Sequence, residues 1–241
     1  MNRARILLFS IACLLCFTIS YGQGGGPPMI TDDPGVVGFH KWEINTSVNV
    51  SVSKVTQLSA PYLDVNYDVA RDVHLKVESS WVFTFDKNHY NTGALGEISA
   101  GIKYHFLHED KSFISVGTYP QVTLTGDQKG FLFPLLLEKT FGKFVIGEDA
   151  GVFFGEHNYR SFHNGLLLGY QVSGKLQVMG EYFMEQSFRP AQATAGYMNC
   201  GFRYDLNQTF GLIGSFGKQI VTPLNEEQEY FISYLGIRSS F

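Results

Sequence analysis

The sequence predicts an all-β fold: a transmembrane, antiparallel, up-and-down β-barrel of about twelve strands, preceded by a signal peptide. Three observations predict it. The N-terminus is built like a secretory leader, the remaining chain alternates apolar and polar residues with period two in segments of ten to fourteen residues, and the chain ends on an aromatic, Phe241. The composition agrees, with 44% hydrophobic and 15% aromatic residues but only 17% charged. That excludes a disordered chain, which is poor in aromatics and rich in charge. A polytopic helical membrane protein is excluded too, because no later stretch approaches the roughly 20 apolar residues a spanning helix needs.

Residues 1–22 carry the leader. Arg3 and Arg5 form a basic start, an apolar run follows from Ile6 to Phe17, and Ser20 and Gly22 place small residues before a cut at Gln23. Removing the leader leaves 16 basic against 22 acidic residues, a net charge near −6, which argues against nucleic acid as a partner. It also removes Cys13 and Cys16, so Cys200 remains alone and neither an intramolecular disulfide nor a cysteine metal site can form.

Residues 23–40 form a periplasmic N-terminal segment, and residues 41–241 the barrel. In the first strand Trp42, Ile44, Thr46, Val48, Val50 and Val52 share one face, with Glu43, Asn45, Ser47 and Asn49 on the other. Leu63, Val65, Tyr67 and Val69 oppose Tyr62, Asp64, Asn66 and Asp68 in the second. Val73, Leu75, Val77 and Trp81 oppose His74, Lys76 and Glu78 in the third, and Ile98, Ile102 and Tyr104 oppose Glu97, Lys103 and His105 in the fourth. The same alternation yields strands over 41–53, 60–69, 72–85, 94–107, 111–124, 131–141, 143–156, 160–171, 174–186, 194–205, 208–219 and 228–241. Tight turns at 70–71, 108–110, 141–143, 173–174 and 206–208 alternate with longer loops at 86–93, 125–130, 187–193 and 220–227, while the connections near Val55 and His157 are short. Short turns on one rim, longer loops on the other and an even strand number are the signature of an outer-membrane barrel.

Periodicity does not say which face points inward. A water-soluble sandwich or lipocalin-type barrel would put the charges outside; a membrane barrel would put them in a wet lumen. Strand length favours the membrane barrel, since soluble strands average five or six residues. So does the final strand, whose terminal Phe241 resembles the signal read by the barrel-assembly machinery. On this reading the partners are outer-membrane lipids, that machinery and a small-molecule solute. The lumen candidates are Glu43, Asp64, Asp68, His74, Lys76, Glu78, Glu97, Lys103, His105, Glu181, Glu185, Arg203 and Arg238. Their mixed signs imply internal ion pairs with a modest cation preference, any gate being formed by these residues or by 23–40.

Thr31, Asp32, Asp33 and Pro34 could form a small cation site, but Asp-Pro-Gly is turn chemistry, so a turn or plug-like segment is the better reading. Thr125-Gly126-Asp127 lacks the Gly-Lys-Ser/Thr of a phosphate cradle. The seven histidines show no His-Glu-x-x-His spacing, so no metal and no cofactor is expected. An enzyme would need a serine, a histidine and an orienting group; Ser161, His163 and Asn164 supply the types, as in an outer-membrane phospholipase, without any Gly-x-Ser-x-Gly elbow.

Gly26-Pro27-Pro28-Met29-Ile30-Thr31-Asp32-Asp33-Pro34 with His40-Lys41-Trp42-Glu43 resembles the opening of a bacterial family of outer-membrane transporters labelled after the MetA pathway of phenol degradation. Leu63-Asp64-Val65-Asn66-Tyr67, Gly101-Ile102-Lys103-Tyr104-His105-Phe106 and 119–127 are further similar stretches. The resemblance implies a porin-like barrel in the outer membrane of Gram-negative bacteria that passes small organic solutes, aromatic or hydrophobic ones among them, and it implies no catalytic residue. A non-conducting structural barrel is the competing expectation.

Overall fold

A computed structural model describes residues 26–86, 92–126, 129–188, 194–222 and 231–241. The leader, His89 and the tips of the four longer loops lie outside the described residues. The described chain is one antiparallel meander. It opens with β1 (Trp42–Val52), β2 (Thr56–Ala70), β3 (Val73–Phe85) and β4 (Thr92–Leu107). Next come two short pieces, β5 (Ser115–Thr118) and β6 (Gln121–Thr123), then β7 (Gly130–Phe141), β8 (Phe144–Gly155) and β9 (Arg160–Gln171). The last four are β10 (Leu176–Ser187), β11 (Ala195–Asp205), β12 (Phe210–Val221) and β13 (Phe231–Ser240). Both β5 and β6 pair with β4 on one side and β7 on the other, so they are halves of one stave and the barrel has twelve.

The fifth stave departs from the sequence expectation, which had an unbroken strand over 111–124. Pro120 has no N–H to give to the ladder, and strands accommodate proline at interruptions. The chain breaks there, Pro120 only accepting, from the Ile102 N–H at 3.1 Å. Residues 111–114 belong to the turn, since the Lys111 and Ser112 N–H groups fold back onto the His108 carbonyl. A second proline, Pro61, falls where the β1–β2 and β2–β3 registers both slip, and the strand continues past it.

Closure comes from β1 and β13, paired from Glu43 opposite Ser240 to Val52 opposite Phe231. Phe241 completes the seam: its N–H donates to Trp42 at 3.0 Å and its carbonyl accepts from Trp42 at 2.8 Å. Both ends of the barrel therefore meet at the rim that also carries the short turns.

The inside–outside ambiguity resolves decisively. Asp64 and Asp68 are fully buried and Lys103 is 4% exposed, whereas Val77, Phe216 and Leu235 are 47%, 62% and 58% exposed. The apolar face points outward on every stave, the reverse of a water-soluble barrel. Aromatic pairs such as Trp42–Tyr67, ring centroids 4.4 Å apart, and Phe144–Tyr170, 4.8 Å apart, sit near the short-turn rim. That is where interfacial girdles belong.

Two outcomes follow from this arrangement. Val77→Arg places a cation on the outer wall of β3 and should cost about 2–4 kcal/mol if that wall faces lipid. Gln57→Arg, whose side chain lines the lumen, should cost little. Chemical denaturation of the two variants in lipid vesicles measures the difference. Deleting Phe241 removes the last seam bonds and should lower the heat-modifiable, folded fraction without reducing secretion.

Candidate functional site

The lumen is threaded by the N-terminal segment. Residues 26–37, read from the sequence as a turn or plug-like part of the N-terminal segment, run inside the barrel, where the buried lumen side chains bind them. Gly26 has φ +72, the left-handed region that glycine tolerates, and a tight turn forms there as the Gly26 N–H donates to the Thr31 carbonyl at 2.7 Å. Beyond it the Asp33 N–H donates to the Asp32 carboxylate at 2.8 Å, and the Gly35 N–H to that of Asp33 at 2.7 Å, the local turn chemistry of aspartate.

Much of the segment's backbone meets wall residues of fitting character. The Ile30 and Thr31 N–H groups donate to the Glu181 carboxylate of β10 at 2.9–3.1 Å. The carbonyls of Gly26 and Pro27 accept from the Arg203 guanidinium of β11 at 3.0–3.1 Å, and Pro28 accepts from Ser215 of β12 at 2.7 Å. Lys103 of β4 and Lys76 of β3 reach the Asp32 carboxylate at 2.8 and 3.5 Å. Asp149 of β8 accepts from the Asp32 N–H at 3.3 Å. At the lower end the Gly38 N–H donates to Asp68, whose other oxygen pairs with His74 Nδ1 at 2.5 Å.

The wall is also shaped for the segment. Gly165, Gly201 and Gly117 face it so closely that a Cβ would fall 2.3 Å from Thr31 Oγ1, 2.5 Å from Met29 Sδ and 2.9 Å from Pro34 Cβ. Met29 packs with Leu167 and Met179, a small apolar core within an otherwise polar lumen.

Charge pairing sets the protonation of the segment. Burial works to raise the Asp32 carboxyl, but Lys103 and Lys76 outweigh it and hold Asp32 well below the ordinary carboxylate range. Asp33 moves the other way, raised first by burial and further by the charge of Asp32. Because the Asp32 carboxylate is already taken up by two lysines, it has a structural partner in place of a cation.

Beside the segment three spaces succeed one another along the lumen, each sharing lining residues with the next. An outer cavity of about 420 Å³ is bounded by Met29, Ile30, Tyr62, Lys76, Glu78 and Tyr234. It narrows to a neck of about 20 Å³ among Asp32, Asp33, Glu43, Asp64, His74, Lys76, Lys103, Arg203 and Arg238. Glu43 and Arg238 lead on into an inner cavity of about 330 Å³ that ends at Lys41 and Phe241.

The predicted lumen residues therefore separate by height. Glu43, Asp64, His74, Lys76, Lys103, Arg203 and Arg238 converge at the neck, and Asp68 and Glu181 hold the segment. Glu78 sits above the neck, accepting from Tyr62 Oη at 2.8 Å and pairing with Lys76 at 3.2 Å. Glu185 takes a Tyr159 hydroxyl at 3.2 Å, away from the neck, and Glu97 is exposed. His105 stacks on His108 toward the short-turn rim, ring centroids 3.8 Å apart. Sequence reasoning missed Asp149, although it shares the inward parity of Val145 and Gly147. It missed Tyr119, whose ring lies 5.1 Å from Lys76 Nζ, because that residue lies in the break of the stave, beside Pro120. The three wall glycines had no signal at all, since their role depends on a segment remote in sequence.

Ser161 and His163 face the lumen, but Asn164 points to the outer wall, so the three side chains do not converge; His163 is hydrogen-bonded to Asp149 at 3.0 Å. Among the described residues no group of three or more His, Cys, Asp or Glu could hold a metal ion.

No protein-family model matches this sequence. Nor does any curated protein. Solved structures do. The COG4313 outer membrane channel from Pseudomonas putida F1 superposes with a TM-score of 0.70 at 12% identity, covering 87% of this chain and 98% of that one. The KdgM porin matches with a TM-score of 0.61 at 9% identity over 82% of this chain and 99% of its own. The NanC porin does so with 0.61 at 10% identity, over 82% and 98%. This chain shares their fold, a closed antiparallel barrel of twelve strands.

Asp32→Asn should release the segment, because removing one partner of a buried ion pair leaves the other uncompensated, at a cost of about 3–5 kcal/mol. The pH dependence has a definite sign. A carboxyl with a depressed value contributes stability above its unfolded value, about 3.9, and loses it only as pH falls toward the folded one. The raised Asp33 is relieved on acidification. The segment should thus stay docked at pH 5 as at pH 7 and loosen only below about pH 4. Protease accessibility of residues 26–37 measures both effects.

Proposed function

We propose that this protein is an outer-membrane channel of Gram-negative bacteria that passes small organic solutes and performs no catalysis. The observation that carries the reading is the succession of cavity, neck and cavity, sharing lining residues, between the N-terminal segment and the wall. The inverted surface and the shared fold of three channels support it. On this reading residues 1–22 are a cleaved leader, 41–241 the spanning barrel, and Phe241 the element read by the assembly machinery.

The outer cavity favours solutes with an apolar body and a polar end. Tyr62 and Tyr234 meet edge to face with centroids 6.4 Å apart, Met29 and Ile30 add apolar surface, and Lys76 and Glu78 supply charge at one side. Its size lies in the lower part of the range for small-molecule sites, about 300–1,000 Å³. Aromatic or hydrophobic compounds fit such a cavity, in line with the resemblance to the family labelled after phenol degradation.

Selectivity divides between two levels. At the neck Asp32, Asp33, Glu43 and Asp64 face Lys76, Lys103, Arg203 and Arg238, so it is balanced in charge. Glu78, Glu97 and Glu185 lie outside it, and this excess is the source of a modest cation preference. A neck of about 20 Å³ holds no more than a water molecule, so passage requires the N-terminal segment to shift and makes it the gate.

Planar-bilayer recording of the full chain and of a chain lacking 23–40 tests this. The full chain should show low, intermittent conductance, and the deletion should raise it severalfold. Silence from both, with no solute uptake by vesicles, would leave a purely structural barrel.

A further inference from the structure

One ionisable group is on the wrong side of the wall. In β8 the lumen-facing residues are Val145, Gly147 and Asp149, so Phe144, Ile146, Glu148 and Ala150 face outward. In β9 Ser161, His163, Gly165 and Leu167 face the lumen, and Asn164, Leu166 and Leu168 face outward. Glu148 lies directly across from Leu137 of β7 and Leu166 of β9, both on the apolar wall. Its carboxylate accepts from Asn164 Nδ2 at 3.1 Å.

The height of this pair matters. Glu148 is four residues above the short-turn end of β8 at Phe144 and seven below Gly155. At roughly 2.5 Å of axial rise per residue in a tilted strand, that is about 10 Å into an apolar band about 25 Å tall. Other charged side chains on the outer face of the described strands sit near strand ends. Lys139 is two residues from the end of β7 and pairs with Glu109 at 2.7 Å, Lys218 is three from the end of β12, and Arg160 opens β9. Long cationic side chains at such positions reach the interface. Glu148 is too short and too deep to do so.

An ionisable residue in the apolar region marks a functional contact, with its partner to be named. Here the pair names it. A carboxylate offers about four acceptor sites and an amide two donors and two acceptors, and the Glu148–Asn164 bond uses one of each kind. What is left, acceptors on Glu148 and one N–H on Asn164, is self-complementary. A second copy related by a two-fold axis presents the same two groups in reverse, as an isologous contact requires. The surroundings, Ile146, Leu166 and Leu168, are 43–53% exposed and give flat apolar area around this polar centre.

We infer that the β8–β9 wall is a self-association surface, on which Glu148 and Asn164 of two copies of this chain hydrogen-bond across a two-fold axis within the membrane. The inference rests on membrane insertion but not on conduction, so a silent channel would leave it untouched.

The test uses the full mature chain in nanodiscs and vesicles. On a Cys200→Ser background, Leu166→Cys should give an oxidised dimer in high yield, while Val77→Cys on the opposite wall should not. Adding Glu148→Leu with Asn164→Leu should reduce the Leu166→Cys dimer at least tenfold and leave heat-modifiable folding intact. Glu148→Gln, which keeps the hydrogen bonding, should retain the dimer. A wild-type chain that stays monomeric at every protein-to-lipid ratio would overturn the proposal. So would a doubly substituted chain that cross-links as well as its parent, or one altered in lipid retention or solute exit but not in association.

Discussion

Completion of the backbone hydrogen bonds by closing the sheet into a ring is the constraint on which this structure depends. In the apolar band proposed for it no strand edge can stay open, so the sheet must close on itself. The seam between β1 and β13 is where that requirement is met, down to the mutual bonds of Trp42 and Phe241 at the rim. Everything inside inherits its geometry from this closure. Once twelve staves form a ring, alternate residues must point into a lumen too narrow to be open water and too wide to be filled by side chains alone.

The remaining space is taken by the chain itself. The N-terminal segment brings exposed N–H and carbonyl groups into a lumen of charged side chains, and the two sets satisfy one another. Glu181 receives two backbone donors, Arg203 covers two carbonyls, and Asp32 pairs with both Lys76 and Lys103. Buried charges are costly unless paired and hydrogen-bonded, so segment and wall each make the other tolerable. The same reciprocity makes the segment separable: its bonds go to the wall side chains and it contributes no strand to the barrel.

The outer wall follows the opposite rule. With apolar side chains toward the surroundings, a polar group on this wall has, in the membrane proposed, no solvent and few partners, so each one present needs a specific reason. Cationic chains near the rims are long enough to reach past the strand ends, and Glu148 with Asn164 stands apart because that explanation does not reach it.

The sequence by itself determined the strand pattern, the tight-turn rim and the two faces of each stave, because side-chain alternation is a local property that each strand carries in its own residues. Even Glu43, Lys76, Lys103 and Arg203 could be assigned to one face from parity alone. Which face was inside had only indirect signals, from strand length and the chain end; accessibility decided it. Other features belong to the tertiary structure. That Asp32 lies between Lys76 and Lys103, that Gly165 leaves room for Thr31, and that the neck forms where it does all depend on residues 44 to 177 positions apart. Such contacts are set by ring closure and stagger, which bring together staves that have no local pattern in common. Tyr119 was lost for a related reason: Pro120 breaks the alternation just where that side chain turns inward, so parity could no longer assign it.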